Sequence, residues 1–174
     1  MMKSFWYSSK TEAGFTLIEM IVALAIVVII MSVIVIDYST SRFKLALSRS
    51  AQKLSLDLHR VETDSLTTRE FKSSGVPYGW GIHFYGVDST NYTIFADLDN
   101  NKARAGGGAE DLATFNFESG VKVLSANITD VVFIPPDPDV IFTPSGPTAS
   151  IVLTTIKGGT RTITINKFGA ITTQ

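Results

Sequence analysis

Residues 14–19, Gly-Phe-Thr-Leu-Ile-Glu, open an apolar stretch that runs to Ile36 and holds one charge, Glu19. Phe15–Ile36 is 22 residues. As an α-helix that is about 33 Å, close to the ~30 Å hydrocarbon core of a bilayer. A carboxylate inside such a span is costly and generally functional. Something must compensate it. Cleavage after Gly14 would leave an ammonium group on Phe15, able to pair with Glu19 of its own chain or of a neighbour. An ordinary secretory signal fits poorly. Its apolar region is typically about 7–15 residues and ends at a small-x-small site, whereas this run exits through Val35-Ile36-Asp37-Tyr38-Ser39.

The same six residues, with their short polar leader and apolar run, resemble the cleavage site of type IV prepilins and pseudopilins. The resemblance implies that a membrane prepilin peptidase cuts after Gly14 and methylates the new N-terminal Phe15. It assigns Glu19 a registry role in filament assembly. It also places the leader in the cytoplasm, which charge leaves open, because Lys3 and Lys10 precede the run while Arg42, Lys44 and Arg49 follow it.

Helical patterning continues beyond the apolar run. Phe43, Leu47, Ala51, Leu54, Leu58, Val61 and Ser65 recur at spacings of four and three, one face of a helix, with charged residues between them. No glycine or proline intervenes between Phe15 and Ser74. The expected organisation is a leader over 1–14, a membrane or filament-core helix over 15–36, and an amphipathic continuation over 37–74. A β domain follows over 75–174. A coiled-coil dimer is the alternative for the amphipathic half, on a short and imperfect register.

After Gly75 the sequence breaks into short runs rich in β-branched and aromatic residues. They are Trp80–Tyr85, Asn91–Ala96, Ala113–Phe117, Val121–Ala126, Thr129–Ile134, Val140–Phe142, Ile151–Thr155, Arg161–Ile165 and Ala170–Thr172. Gly158-Gly159 and Asn166-Lys167-Phe168-Gly169 are turn material. Pro135-Pro136-Asp137-Pro138 interrupts any ladder and is expected to mark a crossover between sheets. The fold class is α+β, a long N-terminal helix on an antiparallel β domain.

This half resembles minor pilins and H-type pseudopilins of type II secretion. The segments concerned are Trp80–Phe84, Tyr92–Asp97, Val132–Pro136, and Arg161–Asn166 with Gly169. Many major pilins carry a proline in the membrane helix, and Ile34–Ile36 hold none, which favours a minor or pseudopilin subunit.

Enzyme parts are missing. The histidines are His59 and His83 only, and there is no cysteine. No His-Glu-x-x-His, Gly-x-Ser-x-Gly or Gly-Lys-Ser/Thr motif occurs. His59 reads as a solvated boundary residue and His83 as a packed or edge residue. Gly106-Gly107-Gly108 reads as a hairpin tip. Asp97, Asp99 and Asn101 have the alternate spacing with which calcium loops begin. Lys102 then stands where the loop glycine belongs, and Gly108 where the terminal glutamate belongs. Glu110 and Asp111 could supply a late carboxylate, and related secretion pilins sometimes bind calcium in this domain. The competing reading is a polar turn closed by Asx hydrogen bonds. Of the aromatics between Phe71 and Phe133, most are expected to fill the core.

Formal net charge is −1. Losing Lys3, Lys10 and Glu12 with the leader leaves 13 Lys+Arg against 15 Asp+Glu, or −2. That argues against a globally basic nucleic-acid binder. Lys157, Arg161 and Lys167 are the candidates for a local patch. The resemblance implies a single-pass protein of the bacterial inner membrane, with its β domain periplasmic or extracellular. Other pilin subunits, the prepilin peptidase and inner-membrane lipid would be its partners. A DNA-uptake pilin, an adhesive pilin and a simple membrane-anchored β domain share most of these features.

Overall fold

The computed structural model describes residues 14–136 and 139–174, with the backbone alone over 33–39. The chain divides into two units at Ser39/Thr40. Helix α1 (Leu17–Leu66) runs through both. The leader expected over 1–14 lies outside the described residues except for Gly14.

In the first unit the apolar side chains from Phe15 to Met31 are all exposed. Among the described residues no helix is long and apolar enough to cross a membrane. The side chains at 33–36, which would complete the expected span, lie outside the described set.

The second unit, Thr40–Gln174, holds the core. The stripe read from the sequence is the buried face of the helix. Leu47, Ala51, Leu54, Leu58, Val61 and Ser65 are buried and Phe43 is half-buried. The β domain covers that stripe, and Leu54, Leu58 and Val61 share one apolar cluster with Trp80, Phe84 and Tyr92. Two buried hydroxyls fix the helix to the domain. Ser65 Oγ donates to the Phe133 carbonyl at 2.8 Å, and Ser50 Oγ accepts from Glu118 N–H at 3.0 Å.

The helix ends at Leu66, short of the expected Ser74. No glycine or proline stops it. Instead a run of threonines competes for its carbonyls, with Thr63 Oγ1 bonding His59 O and Thr67 Oγ1 bonding Thr63 O, each at 2.8 Å. Thr68 then takes φ +48, and the chain turns so that Phe71 enters the core, edge-on to Trp80.

Nine strands follow: β1 Gly79–Phe84, β2 Asn91–Asp97, β3 Asp111–Asn116, β4 Val121–Ala126, β5 Asp130–Ile134, β6 Asp139–Thr143, β7 Thr148–Thr155, β8 Thr160–Asn166 and β9 Ile171–Thr173. They form two antiparallel sheets, ordered β3-β2-β1-β5-β6 and β4-β7-β8-β9. The proline cluster is therefore not a crossover. β5 and β6 are antiparallel neighbours in one sheet, Val132 opposite Ile141, and residues 137–138 of the cluster lie outside the described residues. A residue without an N–H suits either place, since neither needs a ladder bond there. The chain changes sheet at 117–120, 127–129 and 144–147.

Gly81 marks a close approach in the middle of the first sheet. A Cβ there would lie 2.6 Å from the Val131 carbonyl and 2.7 Å from the Phe95 ring. Only glycine lets that ring approach β1 so closely.

Candidate functional site

Gly14 is exposed, and among the described residues nothing lies within 4 Å of where a Cβ would be. Helix α1 begins just after it, and Thr16 O accepts the first intrahelical bond, from Met20 N–H at 3.2 Å. Thr16 and Glu19 form a loose capping box. Glu19 N–H donates to Thr16 Oγ1 at 3.3 Å, and Glu19 Oε2 lies 3.5 Å from Thr16 N. Those lengths are at the weak end for hydrogen bonds. Glu19 is thus exposed and lightly held at the start of the helix, among apolar side chains that are themselves exposed. Phe15, 80% exposed, sits beside it in sequence. The arrangement can present a carboxylate, and after cleavage an ammonium, to another copy of the same surface.

A second cluster lies on the loop between β2 and β3. Asp97, Asp99 and Glu110 converge, one carboxylate oxygen of each lying within 4.8 Å of the others. Asn101, two residues beyond Asp99, is engaged in hydrogen bonds within the loop. Its Nδ2 donates to Asp99 Oδ2 at 2.8 Å and its Oδ1 accepts from Ala103 N–H at 2.8 Å. Of the late carboxylates, Glu110 arrives and Asp111 does not. Asp111 takes a bidentate bond from Arg104, at 2.6 and 2.7 Å. Three oxygen ligands suit a hard cation in kind and fall short of the six to eight that calcium takes.

Hydrogen bonds already organise the loop. Asp97 accepts from the N–H groups of Asn101 and Lys102, each at 3.2 Å. Buried Glu110 accepts from Leu98 N–H at 2.9 Å and Ala105 N–H at 2.7 Å. Burial pushes the Asp97 carboxyl above its ordinary value, against the lowering pull of the Lys102 and Asn100 backbone N–H groups.

The loop then crosses the sheet to β5. Asp130 Oδ1 accepts both Arg104 N–H at 3.2 Å and a 2.8 Å bond with His83 Nδ1. Burial works to raise Asp130, but bonds from His83, Thr129 and Arg104 outweigh it and hold the carboxyl below its ordinary range. His83 is accordingly a packed residue edge-on to Tyr85, 4.8 Å between ring centroids. His59 is exposed, 3.2 Å from Glu62. Of the aromatics, Phe71, Trp80, Phe84, Tyr92 and Phe95 are buried, whereas Tyr78 and Tyr85 are exposed. The candidate basic patch divides, because β7–β8 pairing sets Thr154 opposite Thr160 and Thr148 opposite Asn166. Lys157 and Arg161 therefore fall at one end of the hairpin and Lys167 at the other.

Sequence reasoning missed Arg104 and Asp130 as anchors of the loop. They are 26 residues apart, and nothing local to either announces the contact.

Comparison with known proteins gives one match. The family model of the prokaryotic N-terminal methylation motif matches residues 9–35, the segment that contains Gly14, Phe15 and Glu19. No curated protein and no solved structure matches the chain. The motif points to a structural subunit that assembles with other pilin subunits and is processed by prepilin peptidase.

Proposed function

We propose that this chain, which is type IV prepilin-like, is a minor pilin or pseudopilin subunit of a pilus or type II secretion filament. It enters the bacterial inner membrane as a precursor. Prepilin peptidase cuts it after Gly14 and methylates Phe15. The subunit then packs into a filament through its N-terminal helix. The observation that carries this reading is the coincidence of the methylation motif with an exposed apolar helix that begins beside Gly14, itself exposed.

The mechanism is assembly. Apolar side chains from Phe15 to Met31 are exposed, and lipid or neighbouring helices would cover them. A Glu19 carboxylate is then costly unless a cation meets it. The ammonium of a cleaved Phe15 on a neighbouring subunit supplies one and fixes axial register. Glu19→Gln removes the charge and keeps the shape. The variant should be processed normally but be lost from the sheared filament fraction and remain with membranes. Incorporation of Glu19→Gln at the wild-type level would contradict the registry role.

A further inference from the structure

Charges in the second unit are unevenly partnered. Arg60 and Arg69 meet Asp64, Arg104 meets Asp111, Lys122 meets Asp88, and Lys53 lies over the Phe115 ring. Among the described residues, Lys72 and Lys167 lie exposed elsewhere without a carboxylate partner, and so do Lys44, Arg49, Lys157 and Arg161.

The last four are gathered at one end of the unit. The β7–β8 turn that carries Lys157 folds against the beginning of the amphipathic helix, where a Cβ on Gly159 would lie 3.7 Å from Leu47 Cδ2. The adjoining turn at Gly120 is closer still, with its Cβ position 2.7 Å from Phe43 Cε1. Ile156 N–H bonds Gly120 O at 3.4 Å and ties the two turns together. Lys44 and Leu45 follow Phe43 directly, Arg49 is about a turn and a half further along, and Arg161 is the second residue of β8. Two aliphatic side chains lie exposed among the cations, Leu45 at 50% and Ile156 at 68%. Glu118 is the acidic residue in the same pair of turns, and it is exposed. Cations outnumber it here although the whole chain is slightly acidic.

This end of the unit is also where residue 40 joins the apolar N-terminal run. Lys and Arg without carboxylate partners, beside exposed aliphatic groups, suit a surface of lipid phosphates. The cations meet the headgroups and the aliphatic side chains enter the boundary beneath them. We propose that Lys44, Arg49, Lys157 and Arg161, with Leu45 and Ile156, form a contact surface for an anionic bilayer. It would hold the β domain against the membrane before the subunit enters a filament. The proposal rests on the reading of the chain as membrane-anchored.

The chain has no cysteine, so one can be placed at will. Full-length Thr160→Cys and, at the other end of the hairpin, Ala170→Cys would each carry a fluorophore. The proteins would be reconstituted into vesicles of zwitterionic or mixed anionic phospholipid containing a nitroxide-headgroup quencher. The expected result is stronger quenching at position 160 in anionic vesicles, with position 170 unaffected by lipid charge. Lys44→Gln and Lys157→Gln should each weaken that preference about five-fold, and high salt should weaken it further.

Equal quenching at 160 in both lipids overturns the proposal while leaving the anchor intact. So does a signal that follows protein density and ignores lipid charge, which would assign the surface to a second copy of the chain. Failure to co-float with either vesicle overturns the anchored reading and the proposal with it.

Discussion

Tyr92 donates its phenolic hydrogen to the Asp57 carboxylate, joining β2 to the amphipathic helix at a point where both are otherwise packed by apolar contacts. Burial and then the Asp57 charge push the phenol well above its ordinary value, so it stays a donor at every physiological pH. Tyr92→Phe keeps the ring among Phe84, Phe115 and Phe117 and removes only the hydroxyl. A hydrogen bond to a charged group contributes about 1.5–3 kcal/mol. Urea denaturation should show a loss of that order, with an unchanged slope. No loss would mean that the bond merely replaces one to water.

Gly81→Ala tests the close approach in the first sheet. Its Cβ meets a backbone carbonyl and the Phe95 ring at once, so relief requires a shift of β1 or of a buried side chain. Overpacking of this kind costs about 1–3 kcal/mol or more. A clear fall in melting temperature is expected. An unchanged value would show that β1 and β5 are less closely apposed than described.

Acid should act on the domain in two opposed ways. Asp111 lies below its ordinary value because of Arg104, and Asp130 because bonds from His83, Thr129 and Arg104 outweigh its burial. Both therefore contribute stability that is present above the ordinary value of 3.8 and lost as pH falls through their lower native values. Asp97 is raised by burial, so its contribution runs the other way, improving as pH falls into the window above 3.8. In denaturation across this range, Asp97→Asn should flatten the rise in stability on mild acidification. Asp130→Asn should flatten the later fall. The opposite assignment would overturn the electrostatic account of the loop.

Glu110 holds the loop through two backbone N–H groups. Glu110→Ala leaves both without their acceptor, at a cost of about 1–3 kcal/mol each if they stay buried. Faster amide exchange is expected at Leu98 and Ala105. Because these bonds close the loop by themselves, added calcium should leave the melting temperature unchanged. A calcium-dependent rise abolished by Asp99→Asn would instead assign Asp97, Asp99 and Glu110 to a metal.

The parts of this fold legible in the sequence are those that local chemistry decides. The stripe from Leu47 to Ser65 could be read because one helix face meets one core. Gly158-Gly159 and Asn166 announced their turns, the latter through an Oδ1 that accepts the N–H groups of Phe168 and Ala170, each at 2.9 Å. The helix end at Leu66 was hidden, because threonine side chains and the pull of Phe71 into the core did what a glycine usually does. The cluster at Pro135 was misread because proline reports the lack of a ladder bond without saying which strands adjoin. In the Asp97 loop the acidic spacing was visible. The convergence of Glu110 on Asp97 and Asp99 was not, nor were the contacts of Arg104 with Asp111 and Asp130 that tie the same loop down.

The central claim is processing at Gly14 by the prepilin pathway. The most direct test is the N-terminal sequence and intact mass of the protein from native membranes, with and without the prepilin peptidase. The account predicts a chain that starts at methylated Phe15 and, without the peptidase, keeps its leader. A chain that starts at Met1 in both samples would contradict it and leave a membrane-anchored β domain with no filament.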